Sequence, residues 1–175
     1  FGVLGIVGVG LMGGSLALEL KEKHLVSRVI GSGRRQETLE TALDLGIIDA
    51  IVSLEEMAQQ ADIIVLATPV SSIVPILEQM APSLSENCIV TDVGSVKGII
   101  VDGARGLVPH FIAGHPIAGT EHSGPTAAFK ELYHNSRCIL TPDPDNSDPW
   151  ALEMITEMWS AVGAEVIEMP PEEHD

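Results

Sequence analysis

Three polar segments, 68–69, 92–97 and 114–121, each follow an apolar, strand-like run of the sequence. The third segment contains His115, followed by Pro116, which favours an extended backbone at the histidine. An imidazole held at the end of a strand can accept the proton of a substrate hydroxyl while hydride leaves the same carbon. The alternative is a histidine that is only hydrogen-bonded within the fold. Its position at the end of a strand favours a catalytic role over a structural one, and we therefore predict that His115 is catalytic.

The chain opens with glycines whose spacing is typical of a dinucleotide-binding turn. Gly8, Gly10 and Gly13 form the pattern G-x-G-x-x-G between an apolar run at 3–7 and a helical pattern at 15–23. In this position, backbone N–H groups and the helix dipole can hold a pyrophosphate. The pattern predicts Gly8 for the tight turn, Gly10 for close approach of the ligand, and Gly13 for helix–strand packing. This strand–turn–helix context favours dinucleotide binding over a plain glycine turn, with the candidate contacts Gly8, Gly10, Leu11, Met12 and Gly13.

The residues after the second strand indicate which dinucleotide is preferred. NAD-binding proteins usually place a carboxylate there, about 20 residues past the glycines, to bind the ribose 2′-hydroxyl. This chain reads Gly-Ser-Gly-Arg-Arg at 31–35, with no carboxylate before Glu37. A guanidinium and a hydroxyl suit a 2′-phosphate, and one charge-assisted bond contributes about 1.5–3 kcal/mol. The alternative is that the arginines only solvate a helix start. We predict NADP, with NAD possible, and the further cofactor contacts Ser32, Arg34, Arg35, Thr68 and Pro69.

Four residues near His115 have two possible roles each. Ser95 either bonds the imidazole or the nicotinamide side, or caps a helix that begins at Val96. Lys97 either faces the substrate or lies on the surface of that helix, and the surface position is slightly favoured. Thr120 and Glu121 either shape the substrate pocket or belong to an ordinary turn. We retain Ser95 as a catalytic and cofactor candidate, and Lys97, Thr120 and Glu121 as substrate candidates.

Strand-like and helical patterns alternate along the chain. This alternation predicts an α/β fold of the Rossmann type, a doubly wound, mostly parallel sheet with helices on both faces. A capping box at Ser53–Glu56 predicts the start of one helix, and Ser71 or Ser72 is expected to cap another with Pro75 in its first turn. Residues 119–136 have little periodicity. The predicted strands are 3–7, 28–31, 47–52, 61–67, 87–92, 111–113, 137–141 and 164–167, and the predicted helices are 15–23, 36–44, 53–60, 71–80, 95–103 and 148–163.

The charge and composition of the chain argue against several classes of binding partner and cellular location. The chain has 9 basic and 25 acidic residues, a net charge of −16, which argues against nucleic acid. It has no apolar run of the roughly 18 residues that a membrane span needs, and no signal peptide pattern. Cys88 and Cys138 lie in apolar runs without a CxxC pattern, which favours buried reduced thiols and a cytoplasmic location. The acidic segment 143–148 lacks the glycine and the final glutamate of a calcium loop, so we expect a polar turn and no metal.

The assembled segments resemble the nucleotide-binding domain of the TyrA family, the prephenate and arogenate dehydrogenases of tyrosine biosynthesis. The resemblance is carried by segments 8–15, 44–49 and 67–70, and more distinctively by Thr-Asp-Val-Gly-Ser-Val-Lys-Gly at 91–98 and Gly-His-Pro-Ile-Ala-Gly-Thr-Glu-His-Ser-Gly at 114–124. The first segment is shared with every Rossmann enzyme, whereas the last two are specific to this family. The similarity extends over essentially the whole chain.

The resemblance implies NAD(P)-dependent oxidative decarboxylation of prephenate or arogenate. His115 matches the family's catalytic histidine, which bonds the ring C4 hydroxyl, and Ser95 matches the serine near that histidine and the nicotinamide. Hydride passes to the nicotinamide, carbon dioxide leaves, and the ring becomes aromatic. The acidic NAD-selecting residue is replaced by Gly33 and then Arg34, as in NADP-preferring members.

The resemblance also implies a longer protein. Both ends of the sequence look cut, and we expect residues 1–169 to form the dinucleotide-binding domain and residues 170–175 to start a linker. In the family, the linker leads to a helical domain, missing here, that forms a homodimer and supplies substrate-binding serine, histidine and arginine. The chain alone is therefore expected to bind cofactor with little or no turnover. Two alternatives stay open, another dehydrogenase or reductase of the superfamily, such as pyrroline-carboxylate reductase, and a non-catalytic NADP-sensing module.

Overall fold

The computed structural model describes residues 1–145 and 148–175, and a six-stranded parallel sheet lies at its centre. The strands are β1 (Val3–Val7), β2 (Arg28–Ser32), β3 (Ala50–Ile51), β4 (Ile63–Leu66), β5 (Ile89–Asp92) and β6 (Phe111–Ile112). They lie in the order β3-β2-β1-β4-β5-β6, so the winding direction reverses between β1 and β4. This order is that of a doubly wound dinucleotide-binding sheet, and the predicted fold class is confirmed.

Helices cover both faces of this sheet. Along β4, Ile63 and Val65 face one apolar cluster while Ile64 and Leu66 face the other, as the two-residue period of a strand requires. The helices are α1 (Leu11–Glu22), α2 (Gln36–Asp44), α3 (Leu54–Gln60), α4 (Val70–Met80), α5 (Gly98–Ala104), α6 (Pro149–Ala161) and α7 (Pro171–His174). Residues of α1, α2 and α6 complete the first cluster, and residues of α3, α4 and α5 complete the second.

A second sheet of three strands was not anticipated from the sequence. It consists of β7 (Gly114–Ile117), β8 (Arg137–Leu140) and β9 (Glu165–Glu168), with β7 antiparallel to β8 and β8 parallel to β9. The chain changes sheets at Ala113, whose carbonyl accepts the Thr141 N–H at 2.9 Å. Pro116 lies on the edge strand β7, where its missing N–H removes no ladder bond from the interior of the sheet.

Several helix starts differ from the prediction. Helix α4 begins at Val70 after Pro69, so neither Ser71 nor Ser72 is its cap, and Pro75 lies inside the helix. Helix α5 begins at Gly98, three residues after Ser95, and in the preceding loop the Gly94 N–H donates to the buried Asp92 carboxylate at 2.9 Å. The predicted capping box is present at α3, where Ser53 and Glu56 each accept the other's backbone N–H at 3.1 Å.

The strand predicted at 47–52 is shorter than expected. Only Ala50 and Ile51 pair with β2, whereas Ile47 and Ile48 are buried in the first apolar cluster without strand pairing. Cys88 and Cys138 are both free and buried. The polar turn predicted at 143–148 includes residues 146 and 147, which lie outside the described residues. Within the described ranges, the structure contains no helix with the length and apolar character of a membrane span.

Candidate functional site

The carboxyl ends of β1, β2 and β4 open into a cavity of about 660 Å³. The cavity lies at the point where the strand order reverses, which is where doubly wound sheets bind their ligands. Seven of the predicted cofactor residues line it: Gly8, Gly10, Ser32, Arg34, Arg35, Thr68 and Pro69.

The three glycines have the geometry that the spacing predicts. Gly8 has a φ of +87°, and a Cβ there would lie 2.6 Å from the Ala67 carbonyl oxygen. A Cβ at Gly13 would lie 2.6 Å from Ile6 and 2.9 Å from the Gly8 carbonyl oxygen, so this glycine allows α1 to pack on β1. A Cβ at Gly10 would meet none of the described atoms within 4 Å. The fold therefore requires Gly8 and Gly13, while Gly10 leaves space open at the start of α1.

That open space adjoins the N-terminus of a 12-residue helix capped by Gly10. The first N–H groups of a helix have no acceptor within the helix, and its dipole places about half a positive charge there. The predicted contacts Leu11 and Met12 form the first turn, and their side chains pack in the first apolar cluster. The Met12 carbonyl also accepts the Tyr133 hydroxyl at 2.6 Å. Only the backbone of these two residues is placed to meet an anion.

The end of β2 carries positive charge into the cavity. Ser32 is buried at the strand end, and its carbonyl accepts the Gly8 N–H at 3.0 Å. Arg34 and Arg35 follow it, are both exposed, and line the cavity. A hydroxyl and two guanidinium groups therefore stand where a carboxylate would select NAD.

The wall of the cavity after β4 contains Thr68, whose hydroxyl makes no hydrogen bond to the described residues. Thr68 Oγ1 is buried and has no hydrogen-bond partner among the described residues. Leaving a buried donor unsatisfied costs about 1–3 kcal/mol, so a ligand group at this position would stabilise the site. Five further lining residues, which the sequence pattern did not mark as cofactor contacts, lie in the first turns of α2, α3 and α4: Thr38, Leu39, Leu54, Ser71 and Ser72. The rest of the wall is formed by Val7, Val9, Gly33, Ala67, Pro75, Ile76 and Gln79.

His115 is half-buried on β7, beside the carboxyl end of β5. The Gly114 N–H donates to Asp92 Oδ1 at 3.0 Å, and the Gly114 carbonyl accepts from Lys97 Nζ at 2.6 Å. The histidine therefore stands at the predicted edge of the main sheet but belongs to the second sheet, because the chain turns at Ala113. Burial lowers the pKa of His115, and the neighbouring His174 and Lys97 lower it further. A lowered pKa favours the neutral imidazole that can accept a proton.

Lys97 is fully buried, so the favoured surface position was wrong. Its ammonium donates to the Asp92 carboxylate as well as to the Gly114 carbonyl, and both charged side chains are 0% exposed. Burial raises the pKa of Asp92 and lowers that of Lys97, and their mutual attraction opposes both shifts. The expected contact of Lys97 with substrate stays a prediction, and the contacts described here hold the start of β7.

Ser95, Thr120 and Glu121 are exposed, and none of them lines the cavity of the glycine turn. Ser95 does not cap α5, which begins at Gly98. Thr120 Oγ1 accepts the His122 N–H at 3.1 Å, as in an ordinary polar turn. The catalytic and substrate roles assigned to these residues stay predictions.

Two residues that the sequence predicted to lie in a linker are connected to His115, one directly and one through the first. The Nδ1 atom of His115 is 2.8 Å from His174 Nε2, and His174 Nδ1 is 2.8 Å from Asp175 Oδ1. Asp175 accepts the backbone N–H groups of Lys97 and Gly98 at 2.9 and 2.8 Å. Local sequence signals could not indicate this contact, because 59 residues separate the two histidines. The start of a linker at residue 170 stays a prediction, and α7 packs on α5.

The sequence of this chain is similar to those of known dehydrogenases. The sequence model of one protein family, described as prephenate dehydrogenase, nucleotide-binding domain, matches residues 16–168. The prephenate dehydrogenase of Bacillus subtilis is 38% identical to this chain, over 97% of this chain and 47% of that protein. The chain thus spans about half the length of this curated relative.

Two solved structures are similar over nearly the whole chain. One is a prephenate dehydrogenase from Aquifex aeolicus in complex with hydroxyphenyl propionate and NAD+, with a TM-score of 0.93 and 37% identity. It is matched over 99% of this chain and 62% of that one. The other is the arogenate dehydrogenase from Synechocystis, with a TM-score of 0.92 and 38% identity, matched over 98% of this chain and 61% of that one.

Proposed function

The chain belongs to the prephenate dehydrogenase family, as its nucleotide-binding domain, and on this premise we propose that it serves an NAD(P)-dependent oxidative decarboxylation of prephenate or arogenate. Family membership sets aside the alternative of another reductase of the superfamily. We further propose that the activity belongs to a longer protein, whose remaining part forms the homodimer and completes the substrate pocket. The chain alone then binds cofactor and turns over little or no substrate.

The described residues fit a dinucleotide. Gly10 leaves open space at the N-terminus of α1, where a side chain would block a pyrophosphate. Thr68 Oγ1 lies buried without a partner among the described residues, in a residue of the cavity wall. Leu39, Leu54 and Ile76 give that wall an apolar part, suited to an adenine ring. The proposed cofactor contacts are Gly8, Gly10, Leu11, Met12, Gly13, Ser32, Arg34, Arg35, Thr68, Pro69 and Ser95.

The preferred dinucleotide in this proposal is NADP. Arg34 and Arg35 place two permanent positive charges at the end of β2, in a chain whose net charge is −16. A 2′-phosphate accepts bidentate hydrogen bonds from a guanidinium, whereas a bare ribose hydroxyl gains little from it. The hydroxyl of Ser32 supplies a further donor at the same strand end.

The single observation that carries the catalytic proposal is the position of His115. It stands beside the carboxyl end of β5, held by Asp92 and Lys97 through Gly114, with a lowered pKa. The nicotinamide supplies the acceptor for the hydride that leaves the substrate ring. His115 in its neutral form accepts the proton of the ring hydroxyl, and Ser95 is the proposed second polar group near that histidine. The loss of carbon dioxide makes the ring aromatic, so the protein chiefly aligns the reacting groups.

Steady-state kinetics of the full-length protein with prephenate and arogenate, each with NAD and NADP, tests this proposal. We expect turnover of at least one substrate and a higher kcat/KM with NADP. His115→Asn should lower kcat by roughly 10²-fold or more, because the proton acceptor is lost, and leave the cofactor Kd nearly unchanged. A variant that keeps wild-type turnover would refute the catalytic role. A protein that binds NADP but turns over neither substrate would favour the sensing module instead.

A further inference from the structure

Three side chains form a continuous hydrogen-bonded chain that ends at the proposed proton acceptor. His115 contacts His174, and His174 contacts Asp175, with 2.8 Å between the paired atoms in both cases. The His174 side chain is only 7% exposed. Asp175 is fixed in turn by two backbone N–H groups at the start of α5. These side chains come from β7 and from α7 with the residue that follows it, two parts of the chain that are distant in sequence.

The donors and acceptors of this chain fix the position of each proton. The N–H groups of Lys97 and Gly98, together with His174, lower the pKa of Asp175 to about 2, so it is a carboxylate at neutral pH. A carboxylate only accepts hydrogen bonds, so His174 Nδ1 must carry a proton. In the neutral ring, His174 Nε2 is then an acceptor, and His115 Nδ1 must donate to it. The neutral His115 ring therefore keeps its lone pair on Nε2, the nitrogen that is available as a base.

We propose that His174 is a positioning residue for His115: with Asp175 it holds the Nδ1–H tautomer of His115 and leaves Nε2 as the proton acceptor. This inference rests on the proposed function, because it assigns the atom of His115 that receives the hydroxyl proton. When Nε2 takes that proton, the O–H bond of the substrate breaks as the hydride leaves the same carbon. The imidazolium that results keeps its Nδ1–H donated to His174.

The charged groups around the pair limit when this arrangement holds. Lys97 faces His115 from the loop before α5, and the Cys138 thiol lies near it on β8, with a raised pKa because of burial. Burial, His174 and Lys97 lower the pKa of His115, which favours the neutral ring that this arrangement requires.

The test measures the tautomer directly, by long-range proton–nitrogen NMR of the histidine rings in this chain at mildly alkaline pH. In the wild type, the nitrogen chemical shift of His115 Nδ1 should be that of a protonated ring nitrogen. The nitrogen chemical shift of Nε2 should be that of an unprotonated ring nitrogen. His174→Leu should reverse this pattern in most molecules, because a free imidazole favours the Nε2–H form. His174→Gln should retain the wild-type pattern, because its amide oxygen can accept from Nδ1. Asp175→Ala should give a mixture of tautomers.

The matched control is His24→Asn, which removes an exposed histidine elsewhere and keeps a residue suited to its φ of +56°. It should leave the His115 signals unchanged. In the full-length protein, His174→Leu should lower kcat by roughly tenfold or more and shift the acidic limb of its pH profile upward, because His174 no longer lowers the pKa of His115. The glutamine variant should recover part of the rate.

The outcomes separate this inference from the proposed function. If His115 keeps Nδ1–H in the leucine variant, or if the active protein loses no kcat, the positioning role of His174 is overturned while the dehydrogenase proposal stands. If the tautomers behave as expected but the full-length wild type turns over neither prephenate nor arogenate, the dehydrogenase proposal fails, and the catalytic meaning of the pair fails with it.

Discussion

Replacing Lys97 by methionine should destabilise the domain more than the same replacement of an exposed lysine does. The substitution leaves the Asp92 carboxylate fully buried, with the N–H groups of Gly94 and Gly114 as partners but no positive charge. It also removes the donor of the Gly114 carbonyl. Methionine matches the length of the lysine stem, so the change tests the ammonium and leaves the packing nearly intact.

The expected magnitude follows from the burial of the pair. Removing one partner of a buried ion pair costs about 3–5 kcal/mol, because the remaining charge is uncompensated. For a domain of this size, 1 kcal/mol shifts Tm by roughly 2–4 °C. Lys97→Met should therefore lower Tm by roughly 6–20 °C at pH 7. The double variant Asp92→Asn, Lys97→Met should be more stable than the single variant, because it leaves no buried charge.

The pH dependence gives a second measurement of the same effect. Burial already raises the pKa of Asp92 in the wild type, and the loss of Lys97 raises it further. A carboxyl with a raised folded-state pKa binds more protons in the folded than in the unfolded state, so its stability contribution is present at acid pH and lost as pH rises. The deficit of Lys97→Met relative to the wild type should therefore shrink between pH 7 and pH 5.

Thermal unfolding followed by circular dichroism measures these differences. The matched control is Lys130→Met, which breaks one lysine–carboxylate pair with Glu22 at 2.9 Å, where the side chains are 49% and 58% exposed. Solvent screens that pair, and Tm should hardly change. If Lys97→Met lowers Tm no more than the control does, or if its deficit grows on acidification, the account of a buried pair that holds the start of β7 is refuted.

Two further predictions concern the cavity. Gly13→Ala should lower Tm, because its Cβ meets Ile6 and the Gly8 carbonyl, whereas Gly10→Ala should keep Tm and weaken dinucleotide binding by about tenfold or more in titration calorimetry. Equal effects of the two alanines on Tm would contradict the separate roles of these glycines. Arg34→Ala should raise the Kd of NADP by roughly 10- to 150-fold, the equivalent of one charge-assisted hydrogen bond, and barely change that of NAD. A parallel loss for both dinucleotides would show that Arg34 does not contact the 2′-phosphate.

The main sheet could be predicted from the sequence because its signals are local. Buried parallel strands read as continuous apolar runs, as in β4, and the glycine spacing marks the turn between β1 and α1. The second sheet could not be predicted in the same way. Strand β6 has two residues and β7 follows after one more, so the pattern at 111–117 reads as one strand and a loop. Contacts between residues distant in sequence, such as the hydrogen bond from Thr141 to Ala113, fix the change of sheet.

The candidate site also contains residues that the local sequence could indicate and residues that it could not. Residues 8–13, 32–35 and 68–69 lie at strand ends, so their residue types indicated a nucleotide site without any knowledge of long-range contacts. Lys97 stands in a helix-like pattern that favoured the surface, and its burial depends on Asp92 and on a carbonyl 17 residues away. His174 is farther still from His115 in sequence. The tertiary fold alone brings these groups together.

These contacts join the histidine cluster to the main sheet through one carboxylate. Asp92 ends β5 and binds both the Gly114 N–H and the Lys97 ammonium, and the Lys97 N–H binds Asp175. The imidazole of His115 is thus held on its backbone side by Asp92 and on its ring side by His174. Neither contact involves a residue that lines the cavity of the glycine turn. It follows that substitution of Asp92, Lys97 or His174 should impair proton transfer while the cavity still binds a dinucleotide, provided that the domain remains folded.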